Sequence, residues 1–263
     1  MSNLKRLMAG AALVGGLALG AAQTQAAIIA DIVWVIDDSV SMGGDINEVK
    51  TRIADFDAAM IANSIDANYA LIRFGGPNNI PAGCINSTGN ACMTQDLTDF
   101  TTFNSGWFST MGATTSAEES GSEGTVHALN NVSFRANSVK NIIVVTDEDD
   151  DSDGFNNTTG PYPYATVTTH NLLTAHDALF NFIGRPGVGN TDDTYGFLAA
   201  NHGGAAFNIL DFRADPEPFF DNFINTKVEE IKEHAAPEPA ALGLFGLALL
   251  GLGAARRRRA KVA

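Results

Sequence analysis

The sequence predicts a doubly wound α/β domain with a mainly parallel sheet flanked by helices. Apolar, β-branched runs at 32–36 and 141–146 are typical of strands that are buried on both faces. Stretches with apolar residues at helical spacing follow the strands, and polar turns separate the two kinds of element. The composition, 45% apolar and 17% charged, is that of a globular protein.

The predicted elements alternate along the chain. Strands are predicted at 32–36, 69–74, 93–97, 141–146, 178–183 and 205–210, and helices at about 45–65, within 100–110, and at 125–131, 168–176 and 215–231. Asp45 is the predicted N-cap of the first helix. In this architecture a ligand binds beyond the carboxyl ends of the strands, where Asp37 and Asp147 both lie.

The two ends of the chain look like sorting segments. Residues 1–26 carry two basic residues, then a run of Leu, Ala and Gly, then a small-residue end at Ala26, which is the order of a secretory signal peptide. At the other end, Pro237-Glu238-Pro239 precedes sixteen small or apolar residues and four arginines. A helix of that length spans about 24 Å, less than the roughly 30 Å hydrocarbon core of a membrane.

That C-terminal order of motif, short span and arginine cluster resembles the PEP-CTERM sorting tail, which the exosortase transpeptidases of Gram-negative bacteria recognise and cleave. An ordinary tail anchor is the alternative. Either reading places the body of the protein, 27–236, outside the cytoplasmic membrane, at the cell surface or extracellular. The tail, 237–263, would anchor the chain in the inner membrane transiently, with exosortase as the processing partner.

The charge of the body excludes one class of partner. The two end segments hold seven of the 16 Lys and Arg but only one of the 30 Asp and Glu, so the body is six units more negative than the −14 of the whole chain. Such a surface repels nucleic acid and attracts divalent cations. Cys84 and Cys92 both lie in the exported part and are expected to form a disulfide. Their spacing is not that of a zinc site.

Oxygen ligands cluster where the first strand ends. Asp37-x-Ser39-x-Ser41 offers one carboxylate and two hydroxyls on alternate residues, and Asp147 follows a later strand. Mg²⁺ prefers oxygen ligands in octahedral geometry, so these residues form a candidate metal site. Helix capping by Asp and Ser is the alternative reading of the first motif.

Here the sequence resembles the von Willebrand factor type A domain over about 31–233. The resemblance implies a metal-ion-dependent adhesion site, in which Asp37, Ser39, Ser41 and Asp147 hold Mg²⁺ or Mn²⁺ and a partner's carboxylate often completes the shell. In the family a loop Thr is a further ligand. Counting back from the following helix places Glu123 there, whereas Thr115 matches by residue type but lies farther upstream. A third carboxylate leaves the site net negative and disfavours an acidic partner.

An acidic run follows Asp147. Asp149, Asp151 and Asp153 echo the first half of a calcium loop, but Gly160 stands where an EF-hand has Glu, so the remaining candidate is a weaker accessory Ca²⁺ site. The alternative is a solvated loop.

The expected function is a non-enzymatic, metal-dependent adhesion module for an extracellular protein or an exopolysaccharide, in a biofilm-like matrix that the tail implies. No lipase, zinc-protease or P-loop motif is present in the sequence. The alternatives are a structural surface protein with a fold-stabilising metal and, less favoured, a metal-dependent hydrolase.

Overall fold

The computed structural model describes residues 27–75, 84–88, 91–113, 119–151 and 164–236. The predicted signal peptide and sorting tail lie outside this part of the chain. Within it, no helix combines the length and the apolar character that crossing a membrane would require. The predicted apolar span at 240–255 also lies outside the described residues.

A seven-stranded sheet forms the centre of the domain, in the order β3-β4-β2-β1-β5-β6-β7. The strands are β1 (Ile28–Asp37), β2 (Ile65–Phe74), β3 (Asn86–Thr88), β4 (Ala91–Thr98), β5 (Val139–Val145), β6 (Ala178–Gly184) and β7 (Ala206–Asn208). The five strands β2, β1, β5, β6 and β7 are parallel, and the β3–β4 pair is antiparallel at one edge. The predicted mainly parallel sheet is therefore confirmed.

Helices cover both faces of this sheet. They are α1 (Gly43–Ala62), α2 (Phe100–Ser105), α3 (Trp107–Thr110), α4 (Gly121–Asn131), α5 (Tyr164–His176), α6 (Phe197–Asn201), α7 (Ile209–Ala214) and α8 (Pro216–Ala235), with a 3-10 turn at Val40–Met42 and a π-helical turn at Asp192–Gly196. Buried residues of α1, α2, α7 and α8 share one apolar core, and those of α4, α5 and α6 share the other.

Side chains of β1 alternate between the two cores, as the period of a strand requires. Trp34 packs edge-on against Phe56 of α1, with ring centroids 5.6 Å apart, while Val35 points to the other face. There α4 approaches closely, since a Cβ added to Gly124 would lie 2.6 Å from Val35 Cγ1. The strand is thus clamped between helices, which fixes the position of its last residue, Asp37.

The structure corrects two local predictions, the strand at 205–210 and the N-cap at Asp45, and confirms a third, the disulfide. The last predicted strand is only three residues long, and its second half is helix α7, because Asn208 caps a helix by accepting from the backbone N–H of Leu210 at 3.0 Å. Helix α1 begins at Gly43 with Met42 as N-cap, so Asp45 lies in its first turn. Cys84 and Cys92 form the predicted disulfide.

The amino ends of the strands lie at the opposite edge of the sheet from the candidate site. A cavity of about 1010 Å³ there is lined by the start of β1 and β5 and by the end of α8. Ala27 and Ala236, the first and last described residues, both line it. The two ends of the described domain therefore leave it from the same edge.

Candidate metal centre

Asp37 is the last residue of β1 and is completely buried. One carboxylate oxygen, Oδ1, accepts a hydrogen bond from the backbone N–H of Ser39 at 2.8 Å. The other, Oδ2, accepts from the hydroxyl of Thr146 at 2.7 Å. Both partners are neutral, so neither compensates the negative charge of the carboxylate.

Asp147 follows β5, the strand beside β1, and the parallel pairing brings the two strand ends together. The hydroxyl of Ser41 donates to Asp147 Oδ1 at 2.9 Å, and the hydroxyls of Ser39 and Ser41 lie 3.0 Å apart. Hydrogen bonds therefore link the first motif to Asp147 across 106 residues of sequence.

A third carboxylate, that of Glu119, completes the cluster. Each of Asp37, Glu119 and Asp147 has an oxygen within 4.8 Å of those of the other two. Opposite oxygens of one ion are separated by twice the metal–oxygen bond, roughly 4.2 Å for Mg²⁺ and roughly 4.8 Å for Ca²⁺. The three side chains are thus close enough to share one divalent cation.

Two backbone hydrogen bonds hold Glu119 in place. Its N–H donates to Asp151 Oδ2 at 3.2 Å, and its carbonyl accepts from the N–H of Asp151 at 2.9 Å. The next residue, Ser120, is the N-cap of α4 and donates its hydroxyl to Asp150 Oδ1 at 2.9 Å. The acidic run after β5 therefore fixes the loop that carries Glu119.

The electrostatics of the cluster favour a cation. Burial raises the pKa of Asp37 above its ordinary value. Burial and the neighbouring Asp37 charge raise the pKa of Glu119 to about 8. Glu119 is 5% exposed, and its Oε2 atom is buried without a hydrogen-bond partner. A hard divalent cation would satisfy this oxygen and offset the like charges, so the residues fit such an ion.

One arginine approaches the cluster from the side. Arg213 of α7 donates to Asp147 Oδ2 at 2.8 Å and to Asp45 Oδ2 at 2.6 Å. These contacts raise the already high pKa of Arg213, Asp45 being the main cause. Arg213 thereby occupies one oxygen of Asp147 and leaves Oδ1 facing Ser41.

Asp38, the neighbour of Asp37, is neutralised separately. Arg73 of β2 donates to Asp38 Oδ2 at 2.6 Å, and both side chains are at least nine-tenths buried. Of the two consecutive aspartates, Asp37 thus belongs to the cluster and Asp38 to an ion pair.

Glu123, the predicted loop ligand, is not one of the three residues of the cluster. It lies in the first turn of α4, where its N–H donates to the Ser120 hydroxyl at 3.2 Å. Helix α4 begins at Gly121, four residues before the predicted start, so counting back from Ala128 passed over the loop. The alternative ligand, Thr115, lies outside the described residues.

The residues of the predicted accessory calcium site bind backbone groups where they are described. Asp149 Oδ2 accepts from the N–H of Asn190 at 3.2 Å, and Asp151 Oδ2 accepts from that of Glu119. Asp153 is outside the described part of the chain. The calcium site stays a prediction, and the hydrogen bonds of Asp149 and Asp151 are those of residues that anchor a loop.

Two residues of the site were missed from the sequence. The signal for Glu119 was present, because Ser120 and Glu123 have the spacing of a capping box, which marks Ser120 as the N-cap and the residue before it as loop. Arg213 had no such signal, since it lies 66 residues from Asp147 and is brought there only by the fold.

Comparison with known proteins supports the fold and the tail. The PEP-CTERM protein-sorting motif matches residues 235–259. No curated protein matches the chain. A solved von Willebrand factor type A structure from Catenulispora acidiphila is similar, with a TM-score of 0.53, 14% identity, and coverage of 78% of this chain and 43% of that one.

A second similar structure is that of proximal thread matrix protein 1 from the mussel byssus. Its TM-score is 0.51 at 14% identity, and the match covers 76% of this chain and 47% of that one. The chain matches less than half the length of either solved structure. At this identity the likeness establishes a von Willebrand factor type A-like fold, and the motif match establishes a PEP-CTERM protein-sorting motif at residues 235–259.

Proposed function

We propose that this chain is an exported binding module of the cell surface or extracellular matrix, which binds its partner through a divalent cation. The cation, Mg²⁺ or Mn²⁺, would be held by Asp37, Ser39, Ser41, Glu119 and Asp147. The observation that carries the proposal is the buried Oε2 of Glu119, which has no hydrogen-bond partner beside two further carboxylates. The cation would supply a Lewis-acidic position to which a ligand oxygen binds.

Glu119 replaces Glu123 in this ligand set. Both are one turn or less from the start of α4, but Glu119 shares the cluster with Asp37 and Asp147. Glu123 belongs to the first turn of the helix, where a carboxylate is favoured by the helix dipole.

The charge of the site favours a neutral ligand. The carboxylates of Asp37, Asp45, Glu119 and Asp147 outweigh one divalent ion and Arg213 by one negative charge. A ligand carboxylate would add to that excess, whereas a sugar hydroxyl or a carbonyl oxygen would not. We therefore favour an exopolysaccharide over an acidic protein as the partner.

The ends of the chain set the location in this proposal. Residues 1–26 act as a signal peptide, 27–236 form the binding domain, and 237–263 form the sorting tail that exosortase processes. The tail holds the chain at the inner membrane before processing. The matrix location of the mussel byssus protein is consistent with a matrix role for this fold.

Calorimetric titration of the full chain in detergent with Mg²⁺ and Mn²⁺ tests the site. We expect one ion per wild-type chain, and loss of that ion in Asp37→Asn and Glu119→Gln. Glu123→Gln, a matched change in the first turn of α4, should bind as the wild type does. Equal binding by Glu119→Gln and wild type, or loss of binding in Glu123→Gln alone, would overturn the assignment.

Attachment to matrix polysaccharide tests the function. Wild-type protein should bind immobilised neutral exopolysaccharide in Mg²⁺ and be released by EDTA, whereas Asp37→Asn should not bind. A variant that loses the ion and stability but keeps its attachment would indicate that the metal only stabilises the fold.

A further inference from the structure

Two histidines face each other at a site that shares no residue with the candidate metal centre. His170 Nδ1 and His202 Nε2 lie 2.9 Å apart, with ring centroids separated by 4.8 Å. His170 is in the middle of α5, and His202 follows the last residue of α6. Each ring is partly buried.

The surrounding structure holds both histidines in position. The carbonyl of His202 accepts from the backbone N–H of Phe180 in β6 at 3.3 Å. The ring of His170 packs against Phe197, with centroids 5.5 Å apart, and Leu173, one turn later on α5, is completely buried. A ligand that takes both nitrogens therefore meets a preorganised pair.

Two ring nitrogens at this distance share either a proton or a metal ion. A metal–nitrogen bond of about 2.0 Å places adjacent nitrogens roughly 2.8 Å apart in a square plane and roughly 3.3 Å apart in a tetrahedron. The observed 2.9 Å fits the square-planar arrangement, which is typical of Cu²⁺ and Ni²⁺ with nitrogen and oxygen ligands. Of these two ions Cu²⁺ binds such sites more tightly.

A cavity adjoins His202, one of the two rings. A cavity of about 300 Å³ is lined by His202 and by polar residues that include Thr174, Asn201, Asp177 and His234. This volume holds several water molecules. Water from this cavity would supply the remaining ligands.

The protonation state also fits a ligand role. Burial, and secondarily the neighbouring His170, lowers the pKa of His202 to about 4. The ring is therefore neutral at physiological pH, which is the form that coordinates a metal.

We propose that His170 Nδ1 and His202 Nε2 bind one Cu²⁺ ion in adjacent equatorial positions, with water from the neighbouring cavity completing the shell. The nitrogen ligands distinguish this ion from the one proposed at Asp37, where all the ligand atoms are oxygen. Cu²⁺ bound at the two sites would therefore give different spectra.

Copper titration of the full chain in detergent, followed by electron paramagnetic resonance, tests the proposal. One equivalent of Cu²⁺ should show coupling to two imidazole nitrogens. His170→Gln and His202→Gln should each lose this signal, with thermal unfolding measured in parallel to confirm that both remain folded. Asp37→Asn should keep the signal, so failure here is distinguishable from failure of the oxygen site.

His176→Gln is the matched control. His176 is on the same helix, and its ring lies 6.1 Å from Phe134 rather than in the pair. This variant should bind copper as the wild type does. A wild-type chain without nitrogen coupling, or His170→Gln and His202→Gln chains with an unchanged spectrum, would show that the two rings share only a proton.

Discussion

Strand β1 carries one completely buried aspartate near its amino end, Asp31, and another at its carboxyl end, Asp37, and the two differ in what neutralises them. At the amino end Asp31 accepts from the Arg135 guanidinium at 2.6 Å, from the N–H of Arg135 at 2.7 Å and from the Ser138 hydroxyl at 2.7 Å. At the carboxyl end Asp37 accepts from a hydroxyl and an amide, and no Lys or Arg of the described residues pairs with it. Two further carboxylates lie beside it.

Residue type, strand and burial are the same at both ends, so the difference lies in where the compensating charge comes from. At Asp31 the chain itself supplies the cation, and folding completes the site. At Asp37 the chain supplies more negative charge, so compensation of the buried carboxylate requires a cation from solution. The amino end therefore contributes stability, and the carboxyl end contributes binding in the function we propose.

The largest effect is expected from removing the satisfied aspartate. Asp31→Ala leaves Arg135, which is 25% exposed at its side chain, and the Ser138 hydroxyl without their acceptor. We expect a loss of about 3 kcal/mol in the free energy of unfolding, measured by urea denaturation. The loss should be the same in EDTA and in Mg²⁺. A dependence on Mg²⁺ would contradict the division between the two ends.

The next effect is expected at the other end of the strand. Saturating Mg²⁺, at 100 times its dissociation constant, should stabilise the wild type by about 2.7 kcal/mol over EDTA. Glu119→Gln should lose that gain, yet in EDTA at pH 9 it should be about 1 kcal/mol more stable than the wild type, because Glu119, with its pKa raised to about 8, is ionised there beside two further carboxylates. Thermal unfolding with and without Mg²⁺ measures both, and a Glu119→Gln chain less stable in EDTA would argue against repulsion in the cluster.

The buried Lys227 is intermediate between Asp31 and Asp37, because its charge is only partly compensated by the chain. Lys227 of α8 is fully buried, donates to Asn181 and pairs with Glu230 at 2.6 Å, yet burial lowers its pKa to about 8. Burial of the charged lysine therefore lowers the free energy of unfolding, and this loss is fully present below pH 8. The loss decreases as the pH rises toward 10.5, where the lysine of the unfolded chain loses its proton.

The stability of the wild type relative to Lys227→Met/Glu230→Gln should therefore increase between pH 7 and pH 10, by on the order of 2 kcal/mol. Replacing both partners avoids leaving one buried charge alone. Urea denaturation at the two pH values measures the change. A constant difference would mean that hydrogen bonds and the ion pair fully offset the burial of Lys227.

The smallest effect is expected at a glycine beside the cluster. Gly75 follows β2 with φ +147°, and an added Cβ would lie 2.5 Å from Asp38 Oδ1 and 3.5 Å from Asp37 Oδ1. Gly75→Ala should cost about 1 kcal/mol and weaken Mg²⁺ binding. Gly44→Ala, in α1 with no atom within 4 Å of the new Cβ, should be neutral or stabilising. Denaturation and calorimetry on both variants separate strain from the loss of a glycine.

Much of the fold could be predicted because the residue pattern within a single strand shows whether that strand is buried. The runs around Val33 and Val144 are apolar on both faces, and only the interior of a parallel sheet needs that pattern. The segment after β7 was harder to predict, because Ile209 and Phe212 suit a strand or a helix equally. The N-cap at Asn208 makes this segment a helix.

The candidate site was predictable to the extent that its residues follow strands. Asp37, Ser39, Ser41 and Asp147 lie together because β1 and β5 are parallel neighbours. Glu119 depends instead on where α4 starts, and a shift of a few residues in a helix start changes which side chain faces the cluster. Arg213 depends on tertiary packing of α7 alone.

The shared exit of Ala27 and Ala236 has a consequence for the orientation of the domain. A lipid-embedded tail would pull on the edge opposite to Asp37, and the ten residues of β1 make a stand-off of roughly 30 Å. At physiological ionic strength the electric field of an anionic lipid surface decays over about 8 Å. The cation-binding tip would thus point outward, beyond the reach of lipid headgroup charge, while the chain is still tethered.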